Sequence, residues 1–212
     1  MAERDRIVQI NDRQMAIYFL EGESGVERSK HLSQKLIPRE ELEALGQFLR
    51  RRNLKIAYTS GAYDVIHKGH ARYLNLARSL GDVLVVGLNS DLSIQGYKGP
   101  DRPILHEEDR AEMLSFLGAV NYITIYDEPT GEEVVKRLKP DVYLCVEGSW
   151  EGDIATKREV IAMAEVGGEV FYTPRQDPFQ STSDIIAQIG EKYGKQAYED
   201  YKRMMEAVAN GK

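Results

Sequence analysis

The residues best suited to chemistry lie in TSGAYDVIHKGHARYL, residues 59–74. An apolar strand ends at Ser60, and Gly61 lets the backbone turn with little steric hindrance. His67 and His70 stand three apart across the start of a predicted helix, a spacing that puts both imidazoles on one face of its first turn. There they meet unpaired backbone N–H groups and the positive end of the helix dipole. Gly69 leaves room for a phosphate to approach the backbone. Two imidazoles beside a helix N-terminus make an anion site suited to a triphosphate. A zinc site is the competing reading, but it needs further ligands. The other residues of the usual soft type, His31, His106 and Cys145, stand at no recognisable ligand spacing.

The elements that must position these residues follow from hydropathy. From Lys55 onward, short apolar runs alternate with helical patterns. KIAYTS, DVLVVGLN, NYITIY, DVYLCV and EVFYTP read as strands. HKGHARYLNLARSLG, EEDRAEMLSFLGA, GEEVVKRLK and GDIATKREVIAMAEVGG read as helices between them. Near-continuous apolar strands separated by amphipathic helices predict an α/β fold, a Rossmann-like doubly wound parallel sheet of about five strands. Gly81, Gly118 and Gly168 fall where helices should stop and read as C-terminal caps. Pro38 opens a further predicted helix, REELEALGQFLRRR. Ligands of such a sheet bind beyond the carboxyl ends of the strands, where the winding reverses. That rule points to loops 59–70, 89–106, 147–153 and 173–183.

Three segments are expected: an appendage over 1–38, with IVQI and MAIYFL as a possible hairpin, the α/β domain over 39–190, and a C-terminal helix over 191–212. A chain of 212 residues with 42% hydrophobic and 29% charged residues can bury a core without disulfides. Its formal charge of −6 argues against a nucleic-acid binder with a broad basic face. The single cysteine, Cys145, sits in an apolar run and reads as a small buried strand residue. MAERDRIVQINDR lacks the apolar core of a secretory signal, and no stretch is long enough to span a bilayer, so the expected location is the cytoplasm, without a membrane partner.

GAYDVIHKGH resembles the G-x-F/Y-D-x-x-H-x-G-H signature of the cytidylyltransferase-like nucleotidyltransferase superfamily. LGDVLVVGLNSD, KGPDRPI followed by EEDRAEML, and LKPDVYLCVEGSW are similar to the adenylyltransferase domain of bacterial ADP-heptose synthases. The likeness runs from about residue 40 to 190. It implies that His67 and His70 stabilise a triphosphate as its α-phosphorus is attacked, with Lys98 of the GYKGP loop contacting phosphates. Ser60, Gly61, Ala62, Tyr63 and Gly69 are expected along the nucleotide. The signature Asp64 is expected to organise the loop beside the acceptor. Asn89, Ser90 and Asp91 follow the second strand, where the family approaches nucleotide or substrate, and Arg102 and Arg110 are candidate anion contacts, Arg110 alternatively a helix-surface residue. Arg175 and Ser181-Thr182-Ser183 match the family's arginine followed by a Ser/Thr-rich helix start, whose hydroxyls can cap the helix and bind phosphate.

This chain departs from the family at EGSW, residues 147–150, where related heptose enzymes carry a second glycine in place of Glu147. A carboxylate facing anionic ligands repels them unless it is paired or bonds a sugar hydroxyl. Glu147, Gly148 and Trp150 are therefore expected to shape the acceptor pocket, the alternative being that Glu147 points outward.

The expected reaction is in-line attack by an acceptor phosphate on the α-phosphorus of ATP, with Mg²⁺ accompanying the nucleotide and pyrophosphate leaving. The resemblance favours ATP and a sugar phosphate. CTP with a polyol or amino-alcohol phosphate, and riboflavin phosphate as in FAD synthases, stay open, as does a catalytically silent nucleotide sensor. Relatives of this kind imply a homodimer.

Overall fold

The computed structural model describes residues 30–147, 157–176 and 181–209. The expected hairpin before residue 30, together with Gly148 and Trp150, lies outside them. Two compact units divide between Gln176 and Asp177.

The first unit is built on five strands: β1 Ile56–Gly61, β2 Val83–Asn89, β3 Tyr122–Tyr126, β4 Val142–Val146 and β5 Glu169–Thr173. All pairings are parallel, in the order β3-β2-β1-β4-β5. The expected Rossmann-like sheet is present. The connections carry α3 Lys68–Ser79, α4 Asp91–Lys98 with α5 Glu107–Ser115, α6 Glu132–Leu138, and α7 Arg158–Val166. Ahead of the sheet lie α1 Lys30–Lys35 and α2 Leu42–Arg51. Every residue of the interior strand β2 is buried, while the edge strand β5 is largely exposed.

Alternation along the strands sends side chains to two cores. Ile56, Tyr58, Val85 and Tyr143 pack with Leu42, Leu49 and Val135 on one face, and Ala57, Leu84 and Val86 pack with Leu74 and Leu114 on the other. Full burial of such side chains stabilises the fold by about 1.5–3 kcal/mol each. The chain before Pro38 joins in. Leu32 and Ile37 are buried, and the Ile37 N–H donates to the Ile123 carbonyl at 2.8 Å. Pro38 caps a 3-10 turn, Arg39–Glu41, that leads into α2.

The glycine caps need correction. α3 closes at Leu80 and α5 at Phe116, so neither Gly81 nor Gly118 is a cap. α7 ends on Gly167, whose φ of 77° is the left-handed turn a Schellman-like stop requires, one residue before Gly168. Gly81 and Gly168 answer to close packing instead. A Cβ on Gly81 would stand 2.7 Å from the Lys55 carbonyl, and one on Gly168 would strike the Met163 methyl. The loop expected over 89–106 holds α4. Only Ser93 and Ile94 of its eight residues are buried, too few for a readable helical stripe.

The second unit contains α8 Thr182–Ala209, which runs unbroken through residues 190 and 191. Among the described residues no helix is long and apolar enough to cross a membrane.

Candidate active site

The sheet order reverses between β1 and β4, and the crevice at their carboxyl ends is where such folds bind ligands. β1 leads into a loop in which Tyr63 (φ 48°) and Val65 (φ 50°) adopt left-handed backbone without being glycine. Such residues store about 1–3 kcal/mol each and persist only where surrounding contacts impose them. His67 then turns extended, with φ −134°, and caps α3.

Both histidines take part in that cap. The Gly69 N–H donates to His67 Nδ1 at 3.1 Å, and the His67 N–H donates to His70 Nδ1 at 3.4 Å. With both Nδ1 atoms accepting, each neutral ring must carry its proton on Nε2. The rings lie 4.0 Å apart between centroids, tilted by 32°, and Tyr63 meets His70 edge-on at 5.5 Å. Burial, then the neighbouring His67 and Lys98, lower the His70 pKa to about 4. His70 is therefore a neutral Nε2–H donor near pH 7. Tyr73, one turn on, anchors α3 to the sheet by donating its hydroxyl to the Leu144 carbonyl of β4 at 2.6 Å.

Beneath the histidines two charged residues hold the loops. The buried Asp64 carboxylate accepts from Arg102 Nε (3.1 Å) and from the N–H groups of Ile104 (3.0 Å) and Leu105 (3.1 Å). Arg102 Nη2 completes an ion pair with it at 2.8 Å. Arg110 is neither a surface residue nor an anion contact, which corrects the sequence reading. It is fully buried and donates to the carbonyls of Leu105 (2.9 Å), Ala62 (2.6 Å) and Asn89 (2.8 Å) and to Asp91 Oδ1 (2.7 Å). One guanidinium thus ties together the chain after β1, after β2 and before α5.

The remaining candidates near β2 also bond within the protein. Asn89 Nδ2 donates to Ser93 Oγ at 2.9 Å, and Ser90 caps α4 by accepting from the Ser93 N–H at 3.1 Å. Asp91 Oδ2 pairs with His106 Nδ1 at 2.9 Å. Burial pushes the Asp91 carboxyl up, but the bonds from His106 and Arg110 outweigh it and hold the group below its ordinary range. Lys98 ends α4 with an exposed side chain, its ammonium pKa lowered by desolvation and by Arg102. Its field reaches His70, so the lysine, Arg102 and the histidine pair form one basic corner.

On the other side of β1, Ser60 Oγ lies 3.3 Å from Tyr143 Oη. Exposed Glu147 donates its N–H to the Thr173 carbonyl at 2.9 Å, joining the ends of β4 and β5, and exposed Arg175 follows β5. The sequence reading passed over Lys157, placed inside a predicted helix. It is buried, and its Nζ donates to Tyr143 Oη (2.9 Å) and Cys145 Sγ (3.3 Å). No local pattern announces this, because both partners lie on β4.

In the second unit, Ser181 caps α8. Its N–H and Oγ both donate to Asp184 Oδ2 (2.7 and 2.6 Å), and the Asp184 N–H returns a bond to Ser181 Oγ (3.2 Å). Thr182 and Ser183 form the first turn.

A parallel sheet of this order, with a histidine-capped helix rising from its first strand, defines a Rossmann-like α/β protein with that helix N-terminus at its switch point. The cytidylyltransferase-like family model matches residues 58–188, more than half of the chain, and the chain belongs to that family. It is 37% identical over 159 residues to the bifunctional protein HldE of Syntrophotalea carbinolica, covering 75% of this chain and 32% of that one. The corresponding protein of Helicobacter pylori strain J99 is 42% identical over 158 residues, 73% of this chain and 31% of its own. The chain therefore spans about a third of the length of these relatives. A solved structure, the lipopolysaccharide core biosynthesis protein from Thermoplasma volcanium, superposes with a TM-score of 0.50 at 25% identity, over 58% of this chain and 99% of that one.

Proposed function

We propose that this chain transfers AMP from ATP to a sugar 1-phosphate, of which heptose 1-phosphate is the leading candidate, and releases pyrophosphate. The observation that carries the reading is the stacked His67–His70 pair at the start of α3, both Nδ1 atoms engaged in the helix cap so that each neutral ring carries its proton on Nε2. Neutral donors fixed in advance lose no reorganisation energy as charge builds on the leaving group. Lys98 and Arg102 add positive charge beside them. The likeness to HldE proteins favours adenylyl over cytidylyl transfer.

The acceptor phosphate is already an anion, so attack on the α-phosphorus needs no general base. This suits Asp64, whose carboxylate is engaged by Arg102 and two backbone N–H groups. Arg175 and the hydroxyls of residues 181–183 are proposed triphosphate contacts, and Glu147 an acceptor contact. The described residues contain no group of three or more His, Cys, Asp or Glu able to hold a metal. Mg²⁺ is accordingly proposed as part of the nucleotide substrate, held by phosphate oxygens and neutralising them.

Pyrophosphate release is the test, with ATP, CTP, GTP and UTP each paired with sugar 1-phosphates, polyol phosphates and riboflavin phosphate. Release with ATP and a sugar 1-phosphate is the expected result. Release with CTP alone moves the chain to cytidylyl transfer, and nucleotide binding without release from any pair defeats the transferase reading in favour of a sensor.

A further inference from the structure

Two of the buried charged residues of the first unit, Asp64 and Arg110, stand in ion pairs, and two, Lys157 and Glu159, do not. Asp64 has Arg102, and Arg110 has Asp91. Lys157, at the N-cap of α7, forms no ion pair among the described residues, although it is nine-tenths buried. Its two hydrogen-bond acceptors are Tyr143 Oη at 2.9 Å and Cys145 Sγ at 3.3 Å. Burial holds the Tyr143 phenol firmly in its protonated form. Glu159, two residues on, is also buried, but it makes no ion pair with the lysine and turns Oε1 to the Gly131 N–H at 3.0 Å. An ammonium has three N–H donors, so one is left over.

Position gives that surplus a direction. Tyr143 Oη also meets Ser60 Oγ at 3.3 Å, and Ser60 directly precedes Gly61. A polar file thus runs Ser60–Tyr143–Lys157 across β1 and β4, the two strands between which the winding reverses. The histidine pair, Lys98 and Arg102 belong to the connections from β1 and β2, on the other side of β1. A buried cation without an ion pair is costly for the fold, and an apolar residue of similar volume would pack there at lower cost.

We propose that Lys157 is a substrate-binding residue, presenting its third N–H and its charge to an anionic phosphate oxygen of a substrate seated over β1 and β4. The phosphate belongs either to the nucleotide or to the acceptor. The inference rests on the nucleotidyl-transfer reading for the identity of those substrates, but not for the presence of the anion site.

The test is equilibrium binding by calorimetry, using ATP, CTP, glucose 1-phosphate and inorganic phosphate as probes, on wild type and Lys157→Met. Methionine keeps the stem and removes the charge, and Lys157→Gln is the second variant if the first fails to fold. The expected result is at least a tenfold loss of affinity, with the ligand-free variant melting at or above the wild-type temperature. Loss for ATP or CTP assigns the contact to the nucleotide, and loss for the phosphates alone assigns it to the acceptor. Affinities within twofold of wild type for every probe overturn the proposal, as does a wild type that binds none of them. Normal binding without turnover would defeat the transferase reading while leaving this one intact.

Discussion

Arg110 Nη2 and Asp91 Oδ1 stand 2.7 Å apart, joining the buried face of α5 to the first residue of α4. The same guanidinium holds three carbonyls, one from each chain segment that frames the crevice. The site's loops are therefore set by one side chain that does not itself face solvent. A planar fork of five donors suits this task, and a lysine cannot reproduce it.

Replacing Arg110 should consequently damage the fold before the chemistry. Arg110→Met leaves Asp91 without this partner and three carbonyls unpaired, and breaking a buried pair in this way costs about 3–5 kcal/mol. Urea denaturation should show that loss, and Arg110→Lys should recover only a part of it. A variant within about 0.5 kcal/mol of wild type, the range of ordinary surface changes, would contradict the tie.

The cap and the proposed catalytic role of His67 can be separated. In His67→Asn the side-chain oxygen replaces Nδ1 as acceptor for the first turn, since Asn is among the preferred N-caps. The Nε2–H donor is lost. Melting temperature should stay near that of wild type while kcat for pyrophosphate release falls about 10²–10³-fold, the usual effect of removing one preorganised donor. An unchanged kcat would remove His67 from the chemistry.

His70 makes stability depend on pH in a definite direction. Its pKa falls from 6.5 to about 4 on folding, through burial first and then the charges of His67 and Lys98. Between those values the unfolded chain binds more protons, so this contribution is complete above pH 6.5 and is lost as pH falls toward 4. The difference in urea-unfolding free energy between wild type and His70→Asn should shrink across that window and stay level from pH 7 to 8. A flat difference from pH 7 to 4 would mean that His70 titrates normally.

Much of the site was legible because its signals are local. A strand end, Gly61 and two histidines three apart specify a strand–turn–helix whose first turn carries both rings, and the structure stacks them at 4.0 Å. α4 was not legible, since a short helix capped by Ser90 and burying only Ser93 and Ile94 leaves little periodicity to read. The glycines misled for a related reason. Gly81 and Gly168 are where they are because another segment's backbone passes close by, and a sequence window does not contain that segment.

By itself the sequence determined the five parallel strands and the pairing of His67 with His70. Apolar runs, amphipathic spacing and the i,i+3 relation depend only on near neighbours along the chain. Only the tertiary structure decided what Arg110, Asp64 and Lys157 do. Burial of a charge depends on partners brought from elsewhere: the carbonyls at 62, 89 and 105 for Arg110, Arg102 for Asp64, and Tyr143 and Cys145 on β4 for Lys157. An arginine in an amphipathic pattern looks like a solvated one until the strands have paired and closed the loops over it.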